Sequence, residues 1–159
     1  MNRLFRRLKD TAGSNLLEAA MITPLLLMLT FGIVDFGYLF YVYLALENGI
    51  SQASRYGVTG NQMADPNNPA QNLSREDTLR TAMRQATPTL TLPDSAFTFN
   101  HMVPGGNVWL AGVGGPSDVD KVTVQYTWRP VTPILTPFLT NNQMSLSVDS
   151  AMKNEARFQ

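Results

Sequence analysis

The chain has 159 residues, with 12 Lys+Arg against 12 Asp+Glu and a formal net charge of zero, so its overall charge gives no reason to seek nucleic acid. It contains no Cys and a single His, which excludes disulfides, thiolate metal sites, a thiol nucleophile and any metal centre built mainly from imidazole. Charged residues make up 15% of the chain, against about a quarter in an ordinary soluble domain, and they are unevenly placed.

The first ten residues carry Arg3, Arg6, Arg7 and Lys9 against Asp10. From Ala19 to Val34 there are 16 residues without a charge; Asp35 interrupts, and Phe36 to Leu46 is uncharged again. Glu18 and Asp35 are 17 positions apart, roughly 26 Å along a helix at 1.5 Å per residue, against a bilayer core about 30 Å thick. Phe36, Tyr38, Phe40, Tyr41 and Tyr43 follow, an aromatic cluster of the kind that sits at headgroup level. These features predict one membrane span at about residues 19–43. Basic residues stay on the cytoplasmic side, so the N-terminus is expected inside and the rest outside. A cleaved secretory signal fits less well: the apolar run exceeds the usual core of about 7–15 residues, and Ala45-Leu46-Glu47 is a poor small-residue site.

Three residues in this stretch break the apolar pattern. A charged Glu18 would cost about 2.5–3.5 kcal/mol at the bilayer centre and less near its edge; the bland reading puts it among the cytoplasmic headgroups. Pro24 lacks an N–H, so the carbonyl of Ala20 loses its helical donor and a kink is expected there. Asp35 is expected near the outer interface, solvated by water or headgroups, with contact to a neighbouring helix as the alternative. Beyond the span, Val42, Ala45, Leu46, Gly49, Ala53 and Tyr56 recur at three- and four-residue steps, with polar residues opposite. One helix from Leu16 to Gly57 would run roughly 63 Å, and its outer half needs something apolar to cover.

That cover is expected from the remaining residues. Residues 60–72 read as a loop. Ser74 with Asp77 is a capping pattern that opens a short helix through Ala86. Strands are predicted at Ala96–Val103, Asn107–Ala111, Val122–Trp128 and Met144–Val148, arranged as an antiparallel meander with one apolar face. Pro130–Leu139 reads as a loop or short helix under the sheet, with a membrane-facing position as the alternative. No catalytic constellation is present. His101 stands alone, Gly112–Pro116 is a turn rather than a phosphate loop, and Asp118 and Asp120 read as solvated acids without calcium-loop spacing. Arg75, Arg80 and Arg84 with Glu76 and Asp77 read as a solvated helix face. No cofactor and no metal site is expected.

Just ahead of the apolar run stands Gly13-Ser14-Asn15-Leu16-Leu17-Glu18. It resembles the prepilin peptidase site of type IV pilin-like proteins, in which cutting follows the Gly and the Glu becomes the fifth residue of the mature chain. With Glu18-Ala19-Ala20, Thr23-Pro24-Leu25-Leu26-Leu27 and Phe31-Gly32-Ile33-Val34-Asp35-Phe36-Gly37, about residues 6–57 resemble the TadE-like family, pseudopilins of the tight-adherence (Tad or Flp) pilus. The resemblance implies a basic leader at 1–13, a long helix at 14–57 and an extracytoplasmic head at 58–159. The fold is then α+β: a transmembrane helix continuing into a small pilin-like head with a short helix and a three- to four-stranded antiparallel sheet. It also implies cleavage between Gly13 and Ser14, and pairing of Glu18 with the new amine of a neighbouring subunit, which would set register. Apart from the resemblance, the residue chemistry leaves Pro24 as either a tolerated kink or a bending point, and a contact of Asp35 with a neighbouring helix as the alternative to solvation. The implied partners are prepilin peptidase, other pilins or pseudopilins of the same pilus, an inner-membrane assembly platform and the lipid bilayer, with no nucleic acid. The implied role is non-enzymatic, in pilus assembly, adhesion or secretion at the bacterial inner membrane. An uncut, permanently anchored extracytoplasmic scaffold is the alternative.

Overall fold

In the computed structural model, which describes residues 11–157, a single helix α1 runs Thr11–Val58. The basic positions Arg3, Arg6, Arg7 and Lys9 of the expected leader lie outside the described residues. The helix begins earlier than the expected Leu16 and continues without interruption through Pro24. Its two halves differ in what touches them. Every position from Gly13 to Phe31 is exposed, whereas Val42, Leu46, Gly49, Ile50, Ala53 and Gly57 form a buried stripe at three- and four-residue spacing.

Short strands β1 (Ala64–Asp65) and β2 (Asn68–Asn72) pair as a two-stranded hairpin where a plain loop was expected. Helix α2 (Arg75–Ala86) follows, capped as predicted: the Ser74 hydroxyl oxygen accepts from the Asp77 amide. Strands β3 (Phe97–Met102), β4 (Leu110–Ala111), β5 (Val119–Trp128) and β6 (Met144–Lys153) make an antiparallel sheet in the order β4-β3-β5-β6. This is an α+β fold, but not a simple meander. Strand β5 pairs with β3 rather than with β4, which is only two residues long and occupies the edge. Strand β6 runs five residues beyond the expected Val148, because its register with β5 continues to Lys153 opposite Val119.

Register aligns the core face. Phe97, Val124 and Val148 lie side by side across the sheet, as do Phe99, Val122 and Ser150. The alternate set, Thr98, Thr123, Gln125, Ser147 and Asp149, is polar and open to solvent or nearly so, as expected of an antiparallel sheet with one covered side. The outer half of α1 and helix α2 supply that cover, with Leu46, Ile50, Leu79 and Met83 almost completely enclosed. Trp128 closes the core at the end nearer the bare helix, against Tyr38 with ring centroids 6.5 Å apart.

The two helices approach closely at Gly49. A methyl group placed there would lie 2.5 Å from Thr87 Cγ2 and 2.8 Å from Met83 Sδ. The Met83 thioether is flexible, but Thr87 is buried and anchored, since its hydroxyl and its amide both donate to the Met83 carbonyl. Gly49→Ala is therefore expected to destabilise the head. Overpacking of about 1–3 kcal/mol exceeds the gain in helix propensity of about 1 kcal/mol. Gly37→Ala, with nothing within 4 Å, is expected to be neutral or stabilising. Thermal unfolding of the two variants in detergent would check the contrast.

Candidate assembly and anchoring site

The apolar half of α1 is the most distinctive surface of the molecule. It contains an 18-residue window with mean hydropathy 2.0, none of it buried. Leu16, Leu17, Met21, Leu25, Leu29 and Ile33 all show well over half of their surface. Such exposure of Leu and Ile on a soluble protein would be an aggregation hazard, and it needs lipid or other helices as solvent. Gly13, Ser14 and Glu18 lie on this bare helix, all exposed, one turn apart from Ser14 to Glu18. The Gly13–Ser14 bond is inside the first turns of α1. Farther along, the Thr30 hydroxyl donates to the Leu26 carbonyl at 2.8 Å, one turn below it and so inside the same helix.

Asp35 ends the bare stretch, and its setting corrects the sequence expectation. It is fully buried rather than solvated. Its Oδ1 accepts from the amides of Val131 (2.8 Å) and Thr132 (2.9 Å), and its Oδ2 accepts from the Thr132 hydroxyl. The partner that the structure gives it is a loop of its own head, nearly a hundred residues away. Three charge-assisted bonds compensate the loss of water around a carboxylate. Pro130 and Pro133 bracket the two donor residues and fix the loop backbone beside them. No local periodicity announces such a contact; the bracketing prolines are the one sequence signal that could have drawn attention to Val131 and Thr132.

The aromatic cluster divides between head and surroundings. Tyr38 packs on Trp128, and the Tyr41 hydroxyl shares a 2.8 Å hydrogen bond with Thr89. Phe36 and Phe40 remain exposed. Residues from Asp35 onward thus meet the head on one side of α1, so the unaccompanied part of the helix is 13–34, shorter than the 19–43 stretch at its outer end.

A second polar centre closes the opposite end of the head and corrects three more expectations. Arg75 does not belong to a solvated face. Its Nη2 donates to the Gly57 carbonyl at the end of α1 (3.2 Å) and to Asp120 Oδ2 (3.1 Å), and its Nη1 donates to the Gly114 carbonyl. Asp120, only 9% exposed, also accepts from the Gly114 amide (2.6 Å) and from Asn154 Nδ2 (3.0 Å). Asp118, likewise buried, accepts from the Gly115 amide at 2.7 Å. The Gly112–Pro116 turn is therefore held by both acids, and Gly114 has room for no side chain: a Cβ would stand 2.7 Å from Asp118 Oδ2. Arg80 and Arg84 lie over the rings of Phe99 and Phe97 at 5.1 and 5.6 Å and shield them from water. The Ser74 hydroxyl and the Arg80 guanidinium hold the Asp77 carboxyl below its usual range. His101 Nδ1 is 3.0 Å from the Gly112 carbonyl, a structural contact at the base of that turn.

Residues 13–55, all within α1, match the family model described as TadE-like protein. This segment is similar to that family. The match stops before the head begins. No curated protein and no solved structure matches the chain. The TadE-like pilin family is structural rather than catalytic. A TadE-like segment on one exposed apolar helix, followed by a folded C-terminal domain, has the build of a single-pass anchor and fits a minor pilin of a Tad pilus.

Proposed function

We propose that the chain is a minor pilin or pseudopilin of a Tad-type pilus, cut by prepilin peptidase after Gly13 and assembled by lateral packing of its bare helix. The observation that carries this reading is the coincidence of the TadE-like match with an unaccompanied apolar helix that holds Glu18 near its start. Residues 13–34 form the membrane span, roughly 33 Å at 1.5 Å per residue, close to the thickness of the bilayer core. The head lies outside the cytoplasm and the N-terminus inside. Other pilins, the peptidase and the assembly platform are its partners, and adhesion or secretion by the pilus is the process it serves. In this reading Pro24 is the weak point at which the helix bends as a subunit leaves the bilayer.

One observation favours the uncut scaffold instead: the Gly13–Ser14 bond lies inside α1, and a peptidase takes an extended chain. The objection is small in energy. The first turn of a helix has amides without intrahelical partners, and Gly costs about 1 kcal/mol relative to Ala in a helix. Intact-mass measurement of the protein purified from its own membranes decides between the two. A chain that starts at Ser14 is the expected result. A chain that starts at Met1 in cells with active peptidase would return Glu18 to the headgroups and leave the anchored scaffold.

A further inference from the structure

We propose that the Pro130–Leu139 loop is an interfacial foot: its exposed apolar side chains enter the headgroup–acyl boundary of the bilayer, and the Asp35 carboxylate sets its depth. This rests on the reading of residues 13–34 as the span. Both ends of the loop are fixed at the level where the bare helix stops. Thr132 is bonded to Asp35, and Met144, which resumes the sheet after the loop, pairs with Trp128. Val131 and Phe138 are 66% and 77% exposed. Phe36, next to the Asp35 that holds the loop, is exposed too, as are Phe40 and Met144, which line one apolar hollow, while Leu135 and Leu139 tie the loop to the core.

The backbone suits a partly dry site. Pro130, Pro133 and Pro137 have no N–H to satisfy. The amides of Val131 and Thr132 go to Asp35, that of Phe138 to the Leu135 carbonyl and that of Leu139 to the Thr136 carbonyl. At these positions the loop brings no unmet donor into the interface, the main cost of placing irregular backbone in lipid. Arg129, exposed just before the loop, supplies a cation at the level of lipid phosphates. The comparably apolar set Val103, Val108, Trp109 and Leu110 is at the other end of the sheet, beside the β5 residues that pair with the end of β6. It shares no border with the bare helix. Continuity with the span, not apolarity alone, assigns lipid to the foot.

The chain contains no Cys, so single cysteines carry nitroxide labels without further changes. The full chain with Phe138→Cys, Val108→Cys or Leu25→Cys is reconstituted in phosphatidylethanolamine/phosphatidylglycerol vesicles, and collision with oxygen is compared with collision with a water-soluble nickel chelate. Oxygen is expected to dominate at Leu25 and, less strongly, at Phe138, with the preference reversed at Val108. Nickel dominance at Phe138 with Leu25 still in lipid overturns the foot alone, whereas nickel dominance at Leu25 overturns the span and the foot with it. A Phe138 label shielded from both reagents, with spin–spin broadening that grows with the protein-to-lipid ratio, assigns the face to a second copy and overturns the proposal. Adding Asp35→Ala is expected to shift the Phe138 label toward nickel while the Val108 spectrum stays that of a folded head. Asp35→Asn keeps an oxygen for both amides and is expected to hold the depth. An unchanged depth in Asp35→Ala would overturn the role of the carboxylate.

Discussion

Arg75→Ala is expected to lower the stability of the head by about 3–5 kcal/mol, the usual cost of removing one partner from a buried ion pair. The pair is not a surface bridge, since the side chains of Arg75 and Asp120 are 15% and 11% exposed, and the screening that reduces exposed pairs to about 0–1 kcal/mol is largely absent. The truncation leaves the Asp120 carboxylate enclosed with only neutral donors from Gly114 and Asn154, and removes the guanidinium donors from the Gly57 and Gly114 carbonyls. The Gly57 contact adds a dipole term, because it places a cation at the C-terminal end of α1. A loss of this size is a large share of the 5–15 kcal/mol that holds a typical domain together. The measurement is urea unfolding of the full chain in detergent, followed by fluorescence of the tryptophans. Arg75→Lys keeps the charge but not the fork that reaches two carbonyls and a carboxylate at once, so an intermediate loss is expected. The double change Arg75→Met with Asp120→Asn removes both charges and is expected to recover part of the loss. A midpoint for Arg75→Ala within error of the unaltered chain would show that the centre does not hold α1 to the turn.

The features that were legible in the sequence are those carried by local pattern. The apolar run of α1, its three- and four-residue stripe from Val42, the Ser74 cap and the alternation of Val122, Val124, Tyr126 and Trp128 each depend on neighbours a few positions away, and each stands in the structure. Long-range pairing was not legible. Arg75 sits one residue after a capping Ser and beside two acids, which is the local picture of a solvated helix start; only the fold places it against Asp120, forty-five positions on. Asp35 reads as an interfacial acid because its acceptors are met from Val131 and Thr132, which nothing near it in sequence announces. The order of the sheet was hidden for a similar reason. Strand β4 is too short to hold the central position that a meander would give it, and β5 takes the longer register along β3 instead. In the candidate site, Gly13, Ser14, Glu18 and Pro24 were named by spacing and by resemblance, and the structure places all four on the uncovered helix. What the sequence could not say was where that helix stops being free. The answer comes from the head.

Glu18→Ala is expected to leave membrane insertion intact and to abolish or sharply reduce incorporation into the pilus. Insertion cannot suffer from the change, since a charged side chain in a span opposes insertion, by about 2.5–3.5 kcal/mol at the centre and less toward an end. Glu18 is exposed on the bare part of the helix, 17 positions before Asp35, where the head's hydrogen bonds to α1 begin among the described residues. In the proposed reading this acid finds its partner outside the chain. In that reading, the new amine of a neighbour cut after Gly13 would have the opposite charge and, in a single helix, would lie one turn from Glu18 on the same face. A pair of this kind contributes little net stability but penalises every other axial register, in which one charge is left alone in lipid. The loss should therefore appear in assembly and not in abundance: equal amounts of Glu18→Ala and unaltered protein in the membrane fraction, and little or none of the variant in sheared pili. Glu18→Asp, shorter by one methylene, is expected to incorporate weakly, and Glu18→Gln poorly, because the amide keeps the shape without the charge. Normal incorporation of Glu18→Ala would remove the register role, whatever the intact mass shows about cleavage, and would leave packing of the exposed leucines as the force that brings subunits together.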